Sequence, residues 1–168
     1  MADELRILHE RLPAVSECHP HWSDRINRIL GACDRLGASL PDPVPCGIHR
    51  DFYQDQVIVD NDRLYLIDFD LYCAGDPGLD IGNFIAHITE QSLRCLGDAK
   101  ALTHIEHAME ERYVALAGEQ KRQSIRAYST LTLVRHIHLS TLFEERRSYT
   151  GALLKICEER LDEVGCLR

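Results

Sequence analysis

Nowhere in its 168 residues does this chain carry an apolar run near the ~20 residues that a membrane-spanning helix needs. Its first residues, Met1-Ala2-Asp3-Glu4, are acidic rather than signal-like, so a cytoplasmic location with no membrane partner is expected. Basic residues are outnumbered, 19 Lys and Arg against 27 Asp and Glu, and no basic stripe interrupts the balance, so no nucleic-acid partner is expected. The resulting charge of −8 suits a cationic small molecule. Paired cysteines are also missing: the seven at 18, 33, 46, 73, 95, 157 and 166 are odd in number and contain no Cys-x-x-Cys, which argues against a zinc cluster or a disulfide framework. They read as reduced thiols, with Cys46 and Cys73 flanking the segment of greatest interest. There is no repeat, low-complexity tract or linker of interdomain length, and residues 1–168 are expected to form a single domain.

What is present is the run His49-Arg50-Asp51-Phe52-Tyr53-Gln54-Asp55-Gln56, followed by Asp68-Phe69-Asp70. Kinase-type phosphoryl transfer uses a loop Asp that accepts the substrate hydroxyl's proton, an amide side chain five residues on that binds metal, and a second metal-binding Asp just after a strand. Those roles fall on Asp51, Gln56 and Asp68. Between the two motifs, Gln56-Val57-Ile58-Val59 and Leu64-Tyr65-Leu66-Ile67 are short β-rich runs separated by Asp60-Asn61-Asp62-Arg63, the pattern of a tight hairpin. A hairpin returns the end of its second strand to the start of its first, which makes Asp68 and Gln56 neighbours and lets two oxygen ligands meet at one hard cation.

Residues 46–84 resemble the C-terminal lobe of the aminoglycoside phosphotransferase family, small-molecule relatives of the protein kinases. The resemblance extends to Gly75-Asp76-Pro77-Gly78-Leu79-Asp80-Ile81-Gly82-Asn83-Phe84. It implies that Asp80, opening a helix, hydrogen-bonds back to the catalytic loop, and that the reaction is transfer of the γ-phosphate of ATP or GTP to a hydroxyl of a small metabolite, with Mg2+. It also implies a fold of the α+β class, mainly α-helical, with a small β-hairpin beside the catalytic loop. His49 is expected to orient the loop through backbone or Asp80 rather than to move protons. Asp70, where protein kinases have glycine, is either a further carboxylate for metal or substrate or a solvated loop acid. Asp55 and Asp76 read as turn acids.

Two departures from the family pattern stand out. Gln56 replaces the usual Asn, and its extra methylene shifts the amide oxygen by roughly 1.5 Å against a cation that demands near-ideal octahedral geometry. Before His49 there are only Gly31, Gly37 and Gly47 and no lysine, since Lys100, Lys121 and Lys155 all follow the motifs. The expectation is a C-terminal lobe standing alone, without the glycine-rich loop and strand lysine that grip a triphosphate. That lobe is either supplied by another polypeptide, lost by truncation, or degenerated. Three readings follow: a small-molecule kinase when complete, a pseudokinase-like binding or regulatory module, and a hydrolase using His49, Asp51 and Asp68 around one cation. Apolar surface left where a nucleotide-binding lobe docks predicts a partner lobe or self-association.

Around the motifs, periodicity predicts helices at 3–12, closed by Pro13; at 23–37, capped by Ser23; at 80–96; at 98–117, lined by Leu102, Ile105, Met109, Tyr113 and Leu116; at 119–147; and at 149–164. The middle of the 119–147 segment is apolar on most sides, as a helix at the centre of its domain is. Two histidine pairs, His104 with His107 and His136 with His138, lack the frame of a metal site and read as surface or core residues.

Overall fold

The computed structural model describes residues 1–167. Six α-helices carry most of the chain: α1 (Ala2–Cys18), α2 (Ser23–Ala38), α3 (Gly78–Leu96), α4 (Thr103–Ala117), α5 (Arg122–Leu142) and α6 (Thr150–Glu163). Two antiparallel strand pairs complete it. β2 (Val57–Asp60) and β3 (Arg63–Leu66) form the expected hairpin, while β1 (Cys46–Ile48) pairs with β4 (Cys73–Gly75). The fold is therefore α+β and mainly helical, as the motifs imply.

The apolar periodicity that predicts each helix also decides which face turns inward. Leu8, Leu12 and Val15 on α1, and Ile26, Ile29, Leu30, Cys33 and Leu36 on α2, are buried at helical spacing. They join Leu131, Leu133, Val134 and Ile137 of α5 and Leu153, Leu154, Cys157 and Leu161 of α6 in one core. α5 is buried on nearly every side and packs against α1, α3 and α6, so the all-round apolar segment does sit at the centre.

Several boundaries differ from expectation. Pro13 lies inside α1 rather than closing it. Proline removes one backbone bond, and the helix continues because Leu12 and Val15, on either side, are both docked in the core. Ser23 does not cap α2: it already has helical φ and ψ as the first residue, and a 3-10 turn, Pro20–Trp22, delivers the chain to it. α4 begins at Thr103 instead of 98, because Asp98 takes the Lys100 amide at 2.8 Å and holds a turn there. Its buried residue is Val114, outside the expected lining, of which Met109 and Tyr113 are partly buried while Ile105 and Leu116 face outward. α5 stops at Leu142, and Leu142 and Phe143 are exposed.

α3 starts at Gly78, two residues ahead of Asp80, where the Asp76 carboxylate accepts the Gly78 amide at 3.0 Å. Its approach to α5 is so close that a Cβ on Gly82 would lie 2.7 Å from the backbone of Ile125 and Ser129. Glycine there is a packing requirement of the helix pair.

Candidate active site

The His49-Arg50-Asp51 segment leaves β1, and the Asp68-Phe69-Asp70 segment leads into β4. The β1–β4 pairing, Ile48 opposite Cys73, therefore ties the two loops together from behind. Strands of three residues containing glycine give almost no periodic signal, which is why this second strand pair escapes sequence reading.

Asp80, in the first turn of α3, clamps the first loop. Its Oδ2 accepts the His49 amide at 2.8 Å and its Oδ1 the Arg50 amide at 2.7 Å. The clamp matters because Arg50 has φ 72°, a left-handed conformation that costs a non-glycine residue on the order of 1–3 kcal/mol and persists only where the surroundings hold it. Asp68, with φ 61°, is strained in the same way in the second loop. Backbone strain thus sits at the residue before Asp51 and at the candidate metal ligand itself.

His49 is buried, and its Nε2 donates to the Ile67 carbonyl at 2.8 Å. Since a carbonyl only accepts, the ring carries its proton on Nε2. The side chain bridges the His49-Arg50-Asp51 loop to the residue before Asp68 and packs on Phe69, 4.9 Å between ring centroids. This geometry is that of a loop brace, with Nε2 committed to the Ile67 carbonyl.

The hairpin register places Val57 opposite Leu66, and the Ile67 amide donates to the Gln56 carbonyl at 3.1 Å. At the hairpin's far end, Asn61 takes φ 51° in the two-residue loop between Asp60 and Arg63, as turns of this kind require. At its near end Gln56 and Asp68 come together, the buried Gln56 Nε2 lying 3.4 Å from Asp68 Oδ2. A magnesium ion fits this donor set. One carboxylate and one carboxamide oxygen are hard ligands, and magnesium is ordinarily held by few protein groups with water and phosphate oxygens filling its octahedron. Half a turn about the last torsion of Gln56 presents Oε1 in place of Nε2. Among the described residues no group of three His, Cys, Asp or Glu side chains gathers as a metal cage.

Asp51 is half-buried, and Tyr53 feels both its charge and that of Asp68: burial raises the Tyr53 phenol's pKa, and the charges of Asp51, Asp55 and Asp68 raise it further. Asp70 lies exposed in the turn beyond Asp68, the position of a solvated acid. Asp55 is exposed as well, and Asp76 is the turn acid of α3. Arg50 reaches Glu4 at 3.5 Å.

Sequence reasoning missed an aromatic wall behind the loop. Tyr53 stacks on His87, 4.4 Å between centroids, and His87 meets His136 edge-on at 4.6 Å. Phe52 packs on Phe84 at 5.1 Å. Burial, then the neighbouring Arg135 and Arg146, push His87 down to about 3, and burial with His87 and the same arginines holds His136 well below the ordinary histidine range. The only available signal was that His87 falls one helical turn after Asn83 and Phe84, on the face that turns toward the loop.

Compared with known proteins, residues 1–125 match the family described as the phosphotransferase enzyme family (APH). No curated protein and no solved structure matches the chain. No helix among the described residues is long and apolar enough to cross a membrane.

Proposed function

The chain belongs to the phosphotransferase enzyme family, and from that premise we propose that it carries the acceptor and metal half of a small-molecule kinase. The reaction is transfer of the γ-phosphate of ATP or GTP to a hydroxyl of a small metabolite, with the charge of −8 favouring a cationic one. The observation that carries this reading is the meeting of Gln56 and Asp68 beside a loop whose strained backbone is fixed by Asp80.

In this reading Asp51 accepts the proton of the acceptor hydroxyl as its oxygen bonds to phosphorus and the bond from phosphorus to the nucleoside diphosphate breaks. Asp68 and Gln56 hold Mg2+, which when bound neutralises charge developing on the phosphate oxygens. Asp80 and His49 keep Asp51 in position. Most of the rate gain in such transfers comes from positioning and charge neutralisation, so a rigid loop is the protein's main contribution.

The phosphate-gripping elements belong to a lobe that would cover the hairpin. Ile58, Val59, Leu64, Tyr65, Leu66 and Ile67 are all exposed, Leu64 at 70%, and a two-stranded hairpin with apolar residues open on both faces is marginal without a cover. That cover is a nucleotide-binding lobe or a second copy of the chain, and the site works inside the cytoplasm.

Calorimetric titration of Mg2+-ATP into wild type and Asp68→Ala tests the reading. Binding that is lost on substitution, with phosphoryl transfer that Asp51→Asn lowers by about a hundredfold or more, supports it. Binding without transfer points instead to a regulatory module, a reading favoured by the longer reach of Gln56. Equal binding by wild type and Asp68→Ala removes Asp68 from the metal site.

A further inference from the structure

We infer that Asn83 is a positioning residue for the catalytic loop, the second anchor of a closed circuit of polar contacts that starts and ends on either side of Asp51. Asn83 lies one turn beyond Asp80 on α3 and is 1% exposed. Its Nδ2 donates to the Phe52 carbonyl at 3.0 Å. Asp80 holds the two amides before Asp51, and Asn83 holds the carbonyl after it, so the backbone of the proposed base is pinned from both sides by one helix.

The orientation of the Asn83 amide is forced by chemistry. Its Oδ1 receives the Thr132 hydroxyl at 3.2 Å and Arg135 Nη2 at 2.9 Å; the guanidinium can only donate and the Phe52 carbonyl can only accept, so the oxygen faces Arg135 and the NH2 group faces Phe52. Arg135 then passes the connection on. Its Nη1 lies 3.7 Å from Glu4 Oε2, and Glu4 Oε1 lies 3.5 Å from Arg50 Nη2. The path Phe52, Asn83, Arg135, Glu4, Arg50 thus leaves the loop one residue after Asp51 and returns one residue before it, passing through α3, α5 and α1.

Such an arrangement exceeds what core stability requires. A buried Asn costs free energy to desolvate unless all its bonds are made, and an apolar residue would pack between α3 and α5 without that demand. What the amide adds is a donor aimed at one carbonyl of one loop. For its functional meaning the inference rests on the reading of Asp51 given above; the contacts stand apart from it.

Asn83→Asp decides the matter, because it keeps the volume and the acceptor for Thr132 and Arg135 while replacing the donor to Phe52 by a carboxylate oxygen that the Phe52 carbonyl cannot bond. The control is Thr132→Val, which weakens the same buried cluster and leaves the Phe52 bond intact. Hydrogen–deuterium exchange on the full chain, read with the melting temperature of each variant, is the measurement. In Asn83→Asp the amides of residues 49–53 are expected to exchange about tenfold faster or more, the effect of one lost bond, with central α5 amides unchanged. In Thr132→Val the loop should stay protected even at an equal loss of melting temperature. Loop exchange at the wild-type rate in Asn83→Asp, or equal opening of the loop in both variants, overturns the inference. In a phosphoryl-transfer assay Asn83→Asp should lower kcat while the nucleotide KM stays within about twofold, the mark of lost alignment rather than lost binding. Exchange needs neither metal nor nucleotide, so its outcome bears on the Asn83 anchor whether or not the proposed activity is found.

Discussion

Acid should weaken this protein between pH 6.5 and pH 5 more steeply than its surface carboxylates explain. His87 and His136 sit in contact between α3 and α5, His136 only 2% exposed, with Arg135, Arg146 and Arg94 around them and Glu90 already engaged by Tyr149 and Arg94. His87 is pushed down to about 3 from an ordinary 6.5, and His136 is also held far below 6.5. His87 is therefore neutral in the folded state at pH 5 and His136 is shifted the same way, whereas in the unfolded chain both take a proton below pH 6.5. The unfolded state binds more protons across this window, so stability is complete above pH 6.5 and falls as pH drops toward the folded values. His87 costs about 1.4 kcal/mol per pH unit, or about 2 kcal/mol at pH 5, and His136 adds a loss of the same sign. That is an appreciable part of the 5–15 kcal/mol that a typical domain has. The ion-paired acids Glu158, Glu111 and Glu119 have their carboxyls held below 4.5 by Arg25 and Arg122, so their loss falls mainly below pH 4.5 and does not mimic the effect. Urea unfolding at pH 7.5 and pH 5.0 measures it, and the double substitution His87→Phe with His136→Phe should flatten the slope. Wild-type unfolding free energies that agree within about 1 kcal/mol at the two pH values would refute the reasoning, since the difference expected from His87 alone is about twice that.

Other substitutions probe other parts of the fold. Asp80→Ala removes the acceptor of two charge-assisted bonds and frees a left-handed Arg50, and should cost about 2–4 kcal/mol, or about 5–15 °C in melting temperature. A loss below about 1 °C would mean that the clamp is not holding strain. Gly82→Ala places a methyl 2.7 Å from the α5 backbone and should cost about 1–3 kcal/mol by urea unfolding, against little change for Gly151→Ala, which meets nothing within 4 Å. Replacing the exposed Val59 and Leu64 by lysine should leave the melting temperature of the isolated chain within about 2 °C while abolishing any self-association seen by light scattering; persistence of association would place the docking face elsewhere.

The catalytic-loop motif, the hairpin and the α2 stripe were readable because each is a local pattern. The spacing from Gln56 to Asp68 is a short hairpin, and two strands of four residues leave one register that joins its ends. Ile26, Ile29, Leu30 and Cys33 repeat at the helical period, and the core takes them in that order. Local signals also misled where packing outweighed them. Pro13 is the residue that should end a helix, yet Leu12 and Val15 on either side are anchored in the core. Leu116 continues the apolar lining of α4 in sequence but has no element to meet and is 70% exposed.

The amino-acid order alone determined the family motif and which segments become helix or hairpin, since hydrophobic period and turn residues act over a few positions of chain. Only tertiary structure decided how the loop around Asp51 is held. Asn83 reaches Phe52 across 31 residues and Arg135 reaches Asn83 across 52, with Glu4 closing the circuit from the first helix. Nothing in a local pattern distinguishes those side chains from ordinary helix-surface polar groups. Their partners exist only once α1, α3 and α5 have packed, because burial removes water as a competitor and leaves each group only its protein neighbours to bond.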